Sequence, residues 1–267
     1  MPFIQSFSID TGNRRAFPFN VPAVLHARNI TLSEGVTIFV GDNGSGKSTL
    51  LESLASKLRL SGIGGGIDME DGDYAAARSI LPGLQINWRR EMHIGGFFFR
   101  AEDFSNFLRG LDRERIKIGQ DLSELKGEVD DSIIKKMEEG MNWKLRAMKK
   151  DYGDNMQAYS HGEAFLKILD TQMKGKGIFL LDEPEAALSP IRQLSLISMI
   201  MQLTAKGNAQ FIMATHSPIL MGIPNATIYQ ITDDGMEQVG YRETTHYSIT
   251  KNFLDNPEGF LRYLGEG

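Results

Sequence analysis

Short, dense apolar runs alternate along the chain with stretches of helical spacing. Val36–Val40 is a β-branched and aromatic run, and Leu50, Leu51, Leu54 and Leu58 follow at the spacing of one helix face. Together they predict a buried strand, a turn and a helix. The same unit recurs downstream. Ile178–Leu181 is fully apolar, as a parallel strand covered on both faces must be. Ser189 and Pro190 open a helix as N-cap and first helical residue, with Leu194, Ile197, Ile200 and Met201 as its apolar stripe and Gly207 beyond its end. Gln210–Ala214 is the next buried strand. Ile228–Thr232 and Met236–Tyr241 flank Asp233-Asp234-Gly235, the signal of a hairpin. Asn256-Pro257 opens a last helix over Glu258–Leu264.

Upstream, Phe3–Ile9 alternates as a strand, Asp10–Arg15 is turn-like, and Val21–Leu32 reads as one or two strands. Leu60–Asp73 is glycine-rich, then acidic, and reads as a flexible loop. Ile86–Arg100 resumes strand character. Ser160-x-x-Glu163 has the form of a capping box opening a helix through Met173. This strand–helix alternation predicts an α/β fold with a largely parallel core. One stretch breaks the pattern. Leu111–Asp151 holds ten basic and ten acidic residues, few β-branched ones and no proline, and reads as a helical lobe, bounded at 103–155, set into one domain spanning 1–267. Within it, Met141–Lys150 has four basic residues beside an apolar face, the pattern of a solvated amphipathic helix or of a nucleic-acid contact.

Composition narrows the chemistry. With 267 residues and no cysteine, the chain excludes disulfides, zinc–thiolate sites and thiol catalysis. Its formal charge of −5 argues against indiscriminate polyanion binding. Met1–Ser6 has neither a basic start nor an apolar core, and no run approaches the roughly 18 apolar residues of a membrane span, so a cytoplasmic protein is expected.

The candidate chemistry sits at predicted strand ends. Gly41–Ser48 fits G-x-x-x-x-G-K-[ST] between a strand and a helix, the context a phosphate-binding P-loop requires. Backbone N–H groups of Gly41, Asn43, Gly44, Ser45, Gly46, Lys47, Ser48 and Thr49 would turn toward phosphate oxygens, Lys47 would reach the β- and γ-phosphates, and the Ser48 hydroxyl would hold Mg²⁺. Asp182, ending the apolar run Ile178–Leu181, is the partner carboxylate for that Mg²⁺. Glu183 is the candidate base or orienter for an attacking water, and His216 the candidate γ-phosphate contact. Glu102, just past another strand, could also ligate Mg²⁺. Phe17 or Phe19 could stack on adenine; a pair of core aromatics is the alternative.

This set resembles the ATP-binding-cassette (ABC) ATPases. Gly41–Ser48 stands as Walker A, Tyr159-Ser160-His161-Gly162-Glu163 as the signature, Ile178–Glu183 as Walker B, Ala186-Ala187-Leu188-Ser189 as the D-loop and His216 as the switch histidine. Within that class the chain is similar to small stand-alone ATPases related to the SMC, RecF and OLD heads. The resemblance implies a P-loop NTPase head with a mostly parallel central sheet, an N-terminal antiparallel β portion and a small helical lobe between Q-loop and signature. It departs from the family where His161 and Glu163 replace a glycine and the glutamine of Leu-Ser-Gly-Gly-Gln, and where Glu102 takes the Q-loop position, with Gln85 as the fallback.

The resemblance further implies ATP and Mg²⁺ as cofactors and a homodimer with two ATP at its interface. Ser160, His161, Gly162 and Glu163 of one subunit would cover the nucleotide held by the other. The first reading of its purpose is a switch acting on DNA or a nucleic-acid-bound complex, in repair or defence. A switch acting on a protein partner through the lobe is the alternative. The ATPase subunit of a membrane transporter ranks last, because the lobe is polar and the signature and Q-loop are atypical.

Overall fold

The computed structural model describes residues 3–62, 74–89, 95–102, 104, 161–173 and 176–265. Two sheets organise them. A three-stranded antiparallel sheet runs in the order β2-β1-β5, from Ile30–Thr31, Ile4–Ile9 and Leu84–Trp88. A seven-stranded sheet runs in the order β10-β9-β3-β8-β7-β6-β4. Its strands are Met236–Val239, Thr227–Ile231, Val36–Gly41, Ala209–Ala214, Gly177–Asp182, Gly95–Arg100 and Ser61–Gly62. All its pairings are parallel except the β9–β10 hairpin. The mostly parallel core, the antiparallel N-terminal portion and the hairpin therefore match the sequence reading.

Alternation along each strand explains why the central ones are apolar throughout. In β7, Ile178 and Leu180 join the core on one face while Phe179 and Leu181 join the core on the other. In β8, Ile212 and Ala214 divide from Phe211 and Met213 in the same way. The first core is closed by β1 and by α2 (Lys47–Leu58), through Leu50, Leu51 and Leu54. The second is closed by α4 (His161–Gln172) and α5 (Pro190–Ala205), through Phe165, Ile168, Leu169, Leu196 and Ile200. A strand with helices or sheet on both sides has no solvent face to decorate.

Several expectations are corrected. Val21–Leu32 is not strand throughout: Pro22–Leu25 forms a short helix, α1, and only Ile30–Thr31 pairs as strand. Proline at its first position suits a helix start, and the Ala23 N–H donates to Ser45 O at 2.8 Å, tying α1 to the phosphate loop. Ile86–Arg100 is two strands in different sheets, β5 and β6. The Leu60–Asp73 loop begins with a strand, Ser61–Gly62, laid beside Phe97 and Phe98; the rest of it lies outside the described residues. The buried face of α5 is Gln193, Leu196 and Ile200, whereas Leu194 and Met201 are exposed. The period was right but the phase was rotated, because Gln193 is drawn inward by hydrogen bonds with Ser217 Oγ at 2.5 Å and Leu188 O at 3.3 Å.

Three further helices carry no signal that the pattern reading used: α3 (Ala75–Ile80), α6 (Pro218–Met221) and α7 (Thr245–Asp255). The last helix, α8, is Pro257–Gly265, as expected within a residue. The lobe at 103–155 lies outside the described residues except Phe104, whose ring packs on Phe99 and Phe165 at centroid distances of 6.1 and 5.4 Å.

Candidate active site

Parallel strands deliver their C-terminal ends to one edge of a sheet, where side chains are released from the ladder. Here β3, β7 and β8 are neighbours, and the three chemical motifs leave from that edge. The loop after β3 passes Gly46 in the left-handed region at φ 88°, where a Cβ would lie 2.4 Å from Val21 Cγ2. A Cβ on Gly41 would lie 2.7 Å from Ile231 O. Lys47 is buried, and its ammonium donates to Gly41 O and Asp42 O at 2.9 Å each and to Ser45 Oγ at 3.4 Å. Burial pulls the Lys47 amine below its ordinary range, against the opposing charges of Glu183, Asp182, Asp42 and Glu185.

Asp182 ends β7 only 5% exposed, hydrogen-bonded to the Ser48 side chain. Burial pushes its carboxyl up to about 6, and the Glu183 charge adds to this; the Ser48 hydroxyl, Arg100 and Lys47 oppose it. Its Oδ1 has no hydrogen-bond partner. Two oxygen donors side by side, one carrying a buried unpaired lone-pair atom, fit Mg²⁺, which takes one or two protein oxygens and completes its shell with phosphate and water. No cluster of three His, Cys, Asp or Glu side chains able to hold a metal occurs among the described residues, so an all-protein metal cage is not the arrangement found there.

One residue on, the Glu183 N–H bonds Ala214 O at 2.9 Å and extends the β7–β8 ladder by a step. The chain then turns through a left-handed conformation at Glu183 itself, φ 49°. A non-glycine residue held there stores roughly 1 kcal/mol of strain, common at sites that aim a side chain. Its Oε1 lies 3.6 Å from His216 Nε2. His216 leaves β8, and its backbone N–H donates to Glu185 Oε1 at 2.6 Å. Burial raises the Glu185 carboxyl, against that hydrogen bond. Lys47, Ser48, Asp182, Glu183 and His216 are thus interlinked.

Other candidates fall differently. Glu102 is 80% exposed and bound to Arg100 at 2.5 Å, so its carboxylate is turned to solvent rather than joined to the Ser48–Asp182 pair. Gln85 sits exposed on β5 of the small sheet, paired with Ser8. Phe19 is 7% exposed in the first core with the Arg14 guanidinium 4.0 Å over its ring, whereas Phe17 is 64% exposed. Asn43 and Gly44 are exposed at the loop tip, and Thr49 faces partly inward in the first turn of α2. Ser160 lies outside the described residues; His161 begins α4. A Cβ on Gly162 would lie 2.8 Å from Arg192 Cδ and 3.2 Å from Ala187 O, and Glu163 is ion-paired with Arg192. The start of α4 is therefore pressed against the D-loop and α5.

The sequence reading missed three participants. Arg100 binds Glu52 of α2 at 3.1 Å and lies within electrostatic reach of Asp182. Glu185 holds the His216 backbone. His246, on α7, places Nε2 3.0 Å from His216 Nδ1. Arg100 ends the predicted strand Ile86–Arg100, and Glu185 lies between the Walker B and D-loop stretches. His246 had no local signal, because it is 30 residues from its partner.

A family model described as ABC transporter matches residues 25–186. The chain belongs to the ABC transporter family. It is an ABC-type P-loop ATPase domain. A second model, an AAA domain of the AbiEii type IV toxin–antitoxin kind, matches residues 164–222. Relatives of this ABC-type domain include YusV of Bacillus subtilis (strain 168), named as a siderophore transport system ATP-binding protein, 25% identical over 72% of this chain and 66% of that protein. Another is mkl of Mycobacterium leprae (strain TN), named as a ribonucleotide transport ATP-binding protein, 24% identical over 87% of this chain and 61% of that protein. The chain thus spans less than two thirds of either relative. Similar solved structures include an Smc head bound to the C-terminal winged-helix domain of ScpA, at TM-score 0.49 and 15% identity over 89% of this chain and 98% of that one. A nucleotide-free ATP-binding cassette from an ABC transporter matches at TM-score 0.46 and 17% identity over 97% of each chain. No helix among the described residues is long and apolar enough to cross a membrane.

Proposed function

We propose that this domain binds ATP at Gly41–Thr49 and hydrolyses it, and that a second copy completes each site. The observation that carries the reading is the convergence of Lys47, Asp182, Glu183 and His216 at three adjacent strand ends, with Asp182 Oδ1 and His216 Nε2 buried and unsatisfied. Buried polar atoms without partners are costly, so their grouping supports a site that takes a polar ligand.

In this reading Lys47 neutralises the β- and γ-phosphates, while Ser48 and Asp182 would hold Mg²⁺. The bound metal would neutralise charge that develops between those phosphates. The Glu183 carboxylate, strained toward the edge of the sheet and partly exposed, orients and deprotonates the attacking water. His216 donates from Nε2 to a γ-phosphate oxygen. Phe17, being the exposed one of the two aromatics, stacks on adenine. Ser160 and Gly162 of the second copy meet the same γ-phosphate at the N-terminus of α4. With one copy of each motif per chain, two chains related by a two-fold axis complete two sites.

The names of the two relatives support a transport role, coupled to a membrane partner, over a DNA-directed switch; that reverses the order expected from sequence. Light-scattering mass of Glu183→Gln with and without Mg-ATP tests the core of the proposal. A nucleotide-dependent doubling, with turnover slowed ~10²–10³-fold, is expected; an ATP-independent monomer would overturn the shared site. Co-purification of that trapped form with membranes, against salt-sensitive binding to DNA, separates the two roles.

A further inference from the structure

His216 is contacted from outside the sheet by a residue that neither family match reaches, since these end at residues 186 and 222. His246 lies in the first turn of α7, and its ring centroid is 5.1 Å from that of His216. The helix is well fixed there. Thr244 caps it by accepting from the Tyr247 N–H at 3.3 Å, and the Thr245 N–H donates to Gln230 Oε1 of β9 at 3.0 Å. The Tyr241 and Tyr247 rings pack at 4.8 Å.

The nitrogen pair His216 Nδ1 and His246 Nε2, 3.0 Å apart, allows one proton between them. Burial, and then the Lys47 charge, hold both imidazoles below their ordinary basicity, which favours the neutral pair with one N–H on each ring. Two tautomer sets are possible. If His216 Nδ1 carried the proton, its bare Nε2 would face the Glu183 carboxylate lone pairs at 3.6 Å. The other set removes that repulsion. His246 Nε2–H donates to His216 Nδ1, and the His216 Nε2–H dipole faces the Glu183 carboxylate at 3.6 Å, an attractive approach just beyond hydrogen-bond length, while His246 Nδ1 stays bare.

We infer that His246 is a positioning residue that fixes His216 as the Nε2–H tautomer and so keeps a proton donor aimed at the γ-phosphate edge of the site. The inference rests on the ATPase reading for its consequence but not for its geometry. It makes α7 part of the catalytic apparatus.

Two measurements test it. The first is the ¹⁵N chemical shift of the His216 ring nitrogens in the wild-type protein without nucleotide, which needs no turnover. A protonated Nε2 and bare Nδ1 are expected; a protonated Nδ1 would overturn the inference even if ATP hydrolysis is confirmed. The second compares His246→Gln, whose amide nitrogen can reach the place of Nε2, with His246→Leu, which fills the space without a donor. The Leu variant should lose at least ~10-fold in kcat with KM for ATP unchanged, because a catalytic imidazole is left in mixed tautomers and orientations. The Gln variant should stay within about threefold of wild type, since it restores the donor. Equal rates for the Leu variant and wild type, or equal losses in Gln and Leu variants with matching thermal stability, would overturn it. Absence of turnover in the wild type would count against the proposed function, with the ¹⁵N result still deciding the tautomer.

Discussion

The two ends of β8 treat buried polar groups in opposite ways. Near its start, Gln210 is fully buried and completely satisfied. Its Oε1 accepts from the Phe3 and Ile4 N–H groups at 3.2 and 2.9 Å, and its Nε2 donates to Ile4 O and Ser33 O at 2.9 Å each. It staples the small sheet to the large one. Beyond the other end, and at the neighbouring end of β7, the picture reverses. Asp182 Oδ1, Glu185 Oε2, His216 Nε2 and His246 Nδ1 are the buried side-chain atoms without partners among the described residues. A satisfied network rigidifies; an unsatisfied one costs stability and reserves its hydrogen-bonding capacity for a ligand.

The largest effect should come from the unsatisfied end. Glu183→Gln keeps the shape and removes the base, so kcat should fall ~10²–10³-fold with ATP binding retained, measured by phosphate release and by nucleotide titration. Retained turnover would dissolve the distinction between the two ends. The satisfied end should answer only in stability. Gln210→Leu strands backbone groups of Phe3, Ile4 and Ser33 and should cost about 3 kcal/mol in denaturant unfolding, with no direct effect on nucleotide affinity.

Asp182 sharpens the contrast with a reversed sign. Its folded carboxyl is raised from 3.8 to about 6, so the native state holds a proton that the unfolded chain has released. Native stability must then fall as pH rises between those values and stay lower above them. Asp182→Asn should remove that penalty, making the nucleotide-free protein more stable than wild type by roughly 3 kcal/mol at pH 8 and by almost nothing at pH 3. The same substitution should abolish Mg²⁺-dependent hydrolysis. Unfolding curves across pH check the first part, and a lower stability for the variant at pH 8 would reject it. The smallest effect belongs to the exposed aromatic. Phe17→Ala should raise KM for ATP several-fold, worth about 1 kcal/mol, and leave the melting temperature unchanged.

Much of this was legible along the chain because its causes are local. The glycines and Lys47 must follow one another for a loop to wrap phosphate. Ile178–Leu181 must be apolar throughout because both faces of β7 are covered, and Asp182 marks where the cover ends. The hairpin at Asp233-Asp234-Gly235 is set by adjacent turn residues. Local pattern sufficed for the strand edge that carries the site, for the order of its motifs and for the main parallel sheet.

What only the tertiary structure decided depends on residues far apart in sequence. Periodicity implied a buried stripe on α5 but not its phase, which the Gln193–Ser217 hydrogen bond sets from another element. Two phenylalanines two residues apart could not be ranked until Phe19 entered the core and Phe17 did not. Glu102 looked like a metal ligand by position, yet Arg100 holds it in solvent. His246 gained its role only when the hairpin and α7 brought it across 30 residues to His216. Sequence pattern encodes which face of an element is apolar because burial acts on every residue of that element. A hydrogen bond between two elements leaves no period in either one, so its partners appear only once the chain has folded.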